Sequence, residues 1–265
     1  MKAYKKLKNL ITNKNNYLTV GLDTDINKLP THFPKNLNSL FEFNKAIIDA
    51  TKDIAIAFKI NFAFYEEYGS KGYEVIEKTI DYIPDSLFTI ADAKRGDIGN
   101  TSRSYAKAIF EKMNFDSITV SPYMGEDSIA PFLEFKDKIT FILCLTSNSG
   151  SNDFQKLISD EQTIYKHILK TSLTWGNPEN VGFVVGATHP EQFREIRSIA
   201  KDSVLLIPGV GAQGGSAPDI IKANKKAPAL INSSRGIIYA SNKEDFAIKA
   251  KEKAKELAKT IYHNE

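Results

Sequence analysis

The chain has 265 residues, 42% of them hydrophobic and 25% charged, with a formal net charge of +3 at pH 7 and one cysteine. That composition supports a sizeable core, excludes a disulfide framework, and offers no concentrated basic field for nucleic acid. No run approaches the roughly 18 consecutive apolar residues of a membrane-spanning helix and the N-terminus lacks a signal-peptide core, so a cytoplasmic protein is expected, with no membrane partner.

In chain order, the first segment alternates Lys2, Lys5, Lys6, Lys8 and Lys14 with Leu7, Leu10 and Ile11. It reads as a helix over about 1–14 that closes one end of the fold and presents a solvated lysine face. Eight short apolar, β-branched runs then predict strands: Tyr17–Leu22, Ile54–Ile60, Leu87–Ala91, Ser117–Val120, Ile139–Leu145, Val181–Val185, Val204–Ile207 and Ala229–Ile231. Amphipathic segments between them predict helices, among them Leu40–Thr51, Tyr73–Tyr82, Thr101–Met113, Ile164–Thr174, Pro190–Ala200 and Pro218–Asn224. A last helix is expected over Lys243–Tyr262. Strands alternating with helices imply parallel pairing, and eight units in about 250 residues is the arithmetic of an α/β (β/α)₈ TIM barrel. A doubly wound open sheet is the competing architecture. No linker or shift in composition divides the chain, so residues 1–265 are read as a single catalytic domain. Thr146–Phe154 is the most loop-like stretch and is read as a mobile loop beside the site.

In a barrel, chemistry gathers at the C-terminal strand ends. The third strand runs into Asp92-Ala93-Lys94-Arg95-Gly96-Asp97. Residues two apart on a strand share a side, so Asp92 and Lys94 project together, with Asp97 just beyond. In the second strand Ala57, Lys59 and Asn61 share the side expected to face the barrel interior. Asp23, Ser121, Thr146, Ser147, Asn232 and Ser234 close other strands with polar groups. Gly209-Val210-Gly211-Ala212-Gln213-Gly214 matches G-x-G-x-x-G, a weak dinucleotide signal so late in the chain. A phosphate loop after the seventh strand accounts for it better: the helix start near 216–218 offers free N–H groups, and Arg235 offers a bidentate partner. His32, His167, His189 and His263 show no metal-ligand spacing, and Cys144 lies in an apolar run that reads as buried.

Asp92-x-Lys94-x-x-Asp97-Ile98-Gly99-Asn100-Thr101 resembles the signature of the orotidine 5′-phosphate decarboxylase family. Gly21-Leu22-Asp23, Phe58-Lys59, Pro208 to Gln213 and Ser234-Arg235-Gly236 resemble that family's other site segments in the same order. The wording of the central motif is similar to the family's second, longer subgroup. The resemblance implies a lyase that decarboxylates orotidine 5′-monophosphate (OMP) to UMP without a cofactor, in the last step of pyrimidine nucleotide synthesis. It makes Lys94 the proton donor to C6 in a charge network with Lys59, Asp92 and Asp97. It gives ribose contacts to Asp23 and Thr101, the pyrimidine to Thr146 or Ser147, the pocket wall to Pro208, and the phosphate side to Gln213, Gly214, Ser234 and Arg235. It implies a homodimer in which Asp97 and Thr101 serve the neighbouring site, and makes an orotate phosphoribosyltransferase the candidate protein partner. The alternatives are a magnesium-dependent sugar-phosphate decarboxylase of the same superfamily and a non-catalytic nucleotide-phosphate binding protein.

Overall fold

The computed structural model describes residues 2–186, 190–209 and 217–262. Eight strands form a closed parallel barrel: β1 (Leu18–Leu22), β2 (Ala57–Asn61), β3 (Phe88–Arg95), β4 (Ser117–Val120), β5 (Ile139–Leu145), β6 (Val181–Val185), β7 (Leu205–Pro208) and β8 (Ala229–Ser233). Each pairs with its neighbours in sequence, and β8 returns to β1 through Leu18↔Ile231, Thr19↔Asn232 and Val20↔Ser233. Nearly every strand residue is buried, as expected of strands covered on both faces. The helices outside are α1 (Ala3–Lys14), α2 (Leu37–Thr51), α3 (Ser70–Tyr82), α4 (Gly99–Lys107), α5 (Glu126–Leu133), α6 (Ile164–Trp175), α7 (Pro190–Ile199), α8 (Ala217–Asn224) and α9 (Phe246–Ala258). Their buried residues fall one turn apart, as in Val75, Ile76, Thr79 and Ile80 of α3 and Phe246, Ala250 and Ala254 of α9.

Helix α1 crosses the N-terminal end of the barrel. Ala3 N donates to Asp137 O at 2.8 Å, Lys6 pairs with Asp116 at 2.7 Å, and Lys14 Nζ donates to Lys52 O and Ala55 O. Lys2 pairs with Glu179 at 3.1 Å, so three of the five lysines read as solvated are engaged, and the helix is tied to segments that precede β5, β4 and β2.

Several boundaries differ from the sequence reading, each for a local reason. β2 starts at Ala57 because Ile54 N and Ala55 N donate back to Thr51 O, closing α2. The helix expected over Thr101–Met113 is α4 followed by a π turn at Ala108–Lys112. Ile158–Ser159 and Gln162–Thr163 form an antiparallel hairpin that no Asn-Gly or Asp-Gly turn announces; Asp160 and Glu161 take the left-handed turn instead, with φ of 46° and 62°. β3 runs to Arg95, past its expected end, because it carries a bulge that lies in the site.

Candidate active site

The groups that matter sit at the C-terminal mouth of the barrel. Lys59, on β2, has its side chain 5% exposed and donates to Asp23 Oδ1 at 3.0 Å and to Asp92 Oδ2 at 2.9 Å. Lys94 donates to the other Asp92 oxygen, Oδ1, at 2.6 Å, and half of its side chain remains exposed. The result is an alternating chain Asp23–Lys59–Asp92–Lys94 drawn from β2, β3 and the end of β1. Burial by itself raises the Asp92 carboxyl, but the two ammonium groups outweigh it and hold the acid well below the ordinary carboxylate range. Burial likewise opposes the charge on Lys59, yet Asp23 and Asp92 more than compensate and hold its ammonium above the usual lysine range. Both groups are therefore locked in their charged forms. Lys94 alone of the four keeps a large solvent-facing surface from which to meet a ligand.

The ends of β7 and β8 form the opposite wall. A cavity of about 150 Å³ is lined by Asp23, Lys59, Asp92, Pro208, Asn232 and Arg235, together with Asn61, Gly209, Ser233, Ser234 and Gly236. Gly21 is required here by close approach: a Cβ on it would lie 2.0 Å from Ser234 Oγ and 2.9 Å from Asn232 Oδ1. Arg235 opens the short helix Arg235–Ile238 and is exposed. Gln213 and Gly214 lie outside the described residues, as do His189 and His263.

At the end of β5, Thr146 N donates to Gln155 Oε1 at 2.7 Å, and Gln155 Nε2 donates to Thr146 Oγ1 at 2.9 Å. Thr146 Oγ1 also donates to Asn148 Oδ1 at 2.6 Å. This clamp and a 3₁₀ turn at Ser149–Asn152 shape the loop that follows. Asp97 and Thr101 stand apart from the charge chain: among the described residues Asp97 accepts the neighbouring Ile98 N–H, at 2.8 Å, and no other hydrogen bond, and Thr101 is exposed on α4. Within one chain, then, Asp23 rather than Asp97 completes the network.

The cluster is braced from behind. Tyr65 OH donates to Leu22 O, Asn44 Nδ2 donates to Tyr65 OH and Thr79 Oγ1, and Thr24 Oγ1 donates to Asn44 Oδ1. Tyr239 OH donates to Asp23 O and accepts from Asp25 N. Asp23 is thus flanked by the buried Tyr65, which binds the preceding carbonyl, and the half-buried Tyr239, which binds its own. Three mouth residues had no site role in the sequence reading: Asn61, Asn232, whose Oδ1 is buried with no partner among the described residues, and Thr119, which touches both Asp92 and Lys94. The period-2 alternation of Ser117 and Thr119 against Ile118 and Val120 is the signal that points Thr119 inward.

Cys144 is buried, and its burial pushes the thiol up, away from thiolate chemistry. Among the described residues no three His, Cys, Asp or Glu side chains gather to hold a metal ion. A larger cleft of about 540 Å³ opens between Ile80–Leu87 and Asp116, at the other end of the barrel and away from the charge chain.

Fold and cluster together define a (β/α)₈-barrel enzyme that works with fixed charge at its mouth. Residues 16–250 match the model of the orotidine 5′-phosphate decarboxylase / HUMPS family. The chain is 55% identical over 249 residues to the orotidine 5′-phosphate decarboxylase of Flavobacterium johnsoniae, covering 92% of this chain and 91% of that one. It is 50% identical over 254 residues to that of Bacteroides fragilis, covering 93% and 92%. Among solved structures it is similar to Leishmania donovani OMP decarboxylase, with a TM-score of 0.83 and 34% identity over 97% of this chain and 99% of that one. It also resembles Leishmania donovani UMP synthase, with a TM-score of 0.85 and 36% identity over 97% of this chain, but it spans only 56% of that longer protein. The chain belongs to the orotidine 5′-phosphate decarboxylase / HUMPS family.

Proposed function

We propose that the protein decarboxylates OMP to UMP and CO₂ in the cytoplasm, as the last step of pyrimidine nucleotide synthesis, with residues 1–265 acting as one catalytic domain. The observation that carries this reading is the Lys94 ammonium, 2.6 Å from an Asp92 carboxylate that Lys59 holds ionised. In the reaction the bond between C6 and the carboxylate breaks, CO₂ leaves, and the electron pair stays at C6. A fixed ammonium beside that carbon stabilises the developing charge, and Lys94 then delivers its proton to C6. Asp92 sits where the substrate carboxylate would be repelled and orients Lys94; Lys59 keeps Asp92 charged. Asp23 takes a ribose hydroxyl, Thr146 or Ser147 the pyrimidine edge, and Pro208 the pocket wall. Arg235 and Ser234, with Gln213 and Gly214, take the phosphate.

The same reading makes the enzyme a homodimer. Asp97 and Thr101 make no bond to their own chain's charge cluster, which fits residues that serve a neighbouring site. Ile98, Tyr105 of α4, Tyr123 and Met124 are exposed apolar side chains on the segments that follow β3 and β4, and such side chains fit an interface. An orotate phosphoribosyltransferase is the proposed further partner.

The test is the ultraviolet absorbance change when OMP is added to purified protein, with and without excess chelator. Conversion to UMP that ignores the chelator is expected. No conversion by folded protein that also fails to bind UMP would favour a metal-dependent sugar-phosphate decarboxylase. Tight UMP binding by folded protein with no turnover would favour a binding protein.

A further inference from the structure

Strand β3 does not run straight into its site. It pairs with β4 through Ala91↔Ile118 and next through Arg95↔Val120, so β3 advances four residues while β4 advances two. Asp92, Ala93 and Lys94 thus stand opposite the single residue Thr119, a surplus of two. A bulge of this kind takes backbone groups out of the ladder and re-aims side chains. Lys94 pays for the geometry with a φ of 46°, in the left-handed region that residues bearing a side chain enter only when their surroundings hold them there.

One hydroxyl does the holding. Thr119, 1% exposed on β4, accepts the Lys94 backbone N–H at 3.0 Å and donates to Asp92 Oδ1 at 3.1 Å. The same Asp92 oxygen accepts the Lys94 ammonium at 2.6 Å. Lys94 N–H, the Thr119 hydroxyl, the Asp92 carboxylate and the Lys94 ammonium therefore close a ring. The N–H that the bulge removes from the ladder is satisfied by the group that also steadies the carboxylate. A valine would match the shape of Thr119 and supply neither bond.

We infer that Thr119 is a positioning residue for the decarboxylation: its hydroxyl sets the left-handed turn at Lys94 and the orientation of Asp92, and so aims the ammonium at the reacting carbon. This rests on the decarboxylase reading above. Nothing in it requires Thr119 to touch the substrate, so its loss is expected in turnover rather than in affinity.

The experiment compares the full-length enzyme with Thr119→Val, which deletes the hydroxyl at nearly constant volume, and Thr119→Ser, which keeps it. Thr119→Val should lower kcat by about 10- to 100-fold, the scale of an ångström-level misplacement. KM for OMP and the dissociation constant for UMP should stay within about threefold. Thr119→Ser should keep kcat within about threefold of the parent, the rescue a hydroxyl role requires. A Val variant with unchanged kcat, or a Ser variant as impaired as Val, would overturn the inference. Should Thr119→Val not fold, the Ser prediction still decides it. A crystal structure of Thr119→Val is read independently of turnover: Lys94 should leave the left-handed region or lose its contact with Asp92, and an unchanged turn would sink the idea. Parent enzyme inactive on OMP would instead strike at the decarboxylase reading, leaving the crystallographic comparison to judge the ring.

Discussion

Lys94 keeps half of its side chain open to solvent while its ammonium rests 2.6 Å from Asp92, so it can be removed without opening the core. Lys94→Ala should lower kcat by roughly 10²–10⁴-fold or more, the range of a lost general acid. UMP affinity should change by less than about 1.4 kcal/mol, one decade in the dissociation constant; steady-state kinetics and calorimetry together check both halves. Arg235→Ala should do the reverse, weakening nucleotide affinity by about 1.5–3 kcal/mol, the scale of a hydrogen bond to a charged group, while bound substrate still turns over. The charge chain also predicts a pH window. Asp92 is held below the usual carboxylate range, so the stability it contributes is complete above about pH 4, the unfolded value, and is lost as pH falls toward its folded value. Lys59 is held above the usual lysine range, so its contribution is complete below about pH 10.4 and is lost as pH rises further. Urea midpoints across pH should therefore show a plateau between these limits, and Asp92→Asn should flatten the acid side.

At the scale of elements, the site depends on packing behind it. Asn44 of α2 joins Thr24, Tyr65 and Thr79, and Tyr65 in turn holds the end of β1 just before Asp23. Asn44 is fully buried, so Asn44→Ala leaves a cavity and strands the hydroxyl of Thr24 without its acceptor. A loss of about 3 kcal/mol is expected, read as a lower urea midpoint at unchanged slope. This brace was not legible in the sequence, because it joins residues 24, 44, 65 and 79, which no local pattern connects. The strands were legible. Ser117–Val120, Ile139–Leu145 and Val181–Val185 match the observed β4, β5 and β6, since a parallel strand buried on both faces writes a continuous apolar run. β3 was read short because its last residues, Asp92 to Arg95, are charged. They stay in the strand through the bulge and the Thr119 hydroxyl, which apolar patterning does not encode. Asp92 and Lys94 meet as their spacing predicts, but across a bulge with Lys94 in the left-handed region rather than along an unbroken pleat. The part of Asp23 was not legible in this way, because its bond to Lys59 bridges 36 positions across two strands.

At the scale of the whole molecule, the charges of one chain and its exposed surface point the same way. Ser121 N donates to Arg95 O at 2.7 Å, which draws the loops after β3 and β4 together. Arg95 lies over the Tyr105 ring at 5.4 Å, and Met124 approaches Gly96. Ile98, Tyr105, Tyr123 (92% exposed) and Met124 are exposed apolar side chains on this joined face, whose segments also carry Asp97 and Thr101. If that face meets its copy, each site takes Lys94 from one chain and Asp97 from the other. Lys94→Ala and Asp97→Ala proteins, each inactive alone, should then recover activity on mixing. Random exchange of equal amounts makes half of the dimers hybrids, and in each hybrid one site has both defects and the other has none. The expected recovery is about a quarter of parental activity at full exchange, as two-fold symmetry requires. No recovery, with exchange demonstrated by native mass spectrometry, would place Asp97 and Lys94 in the same chain's site. Replacing Tyr123 and Met124 with charged residues should block the recovery by blocking assembly.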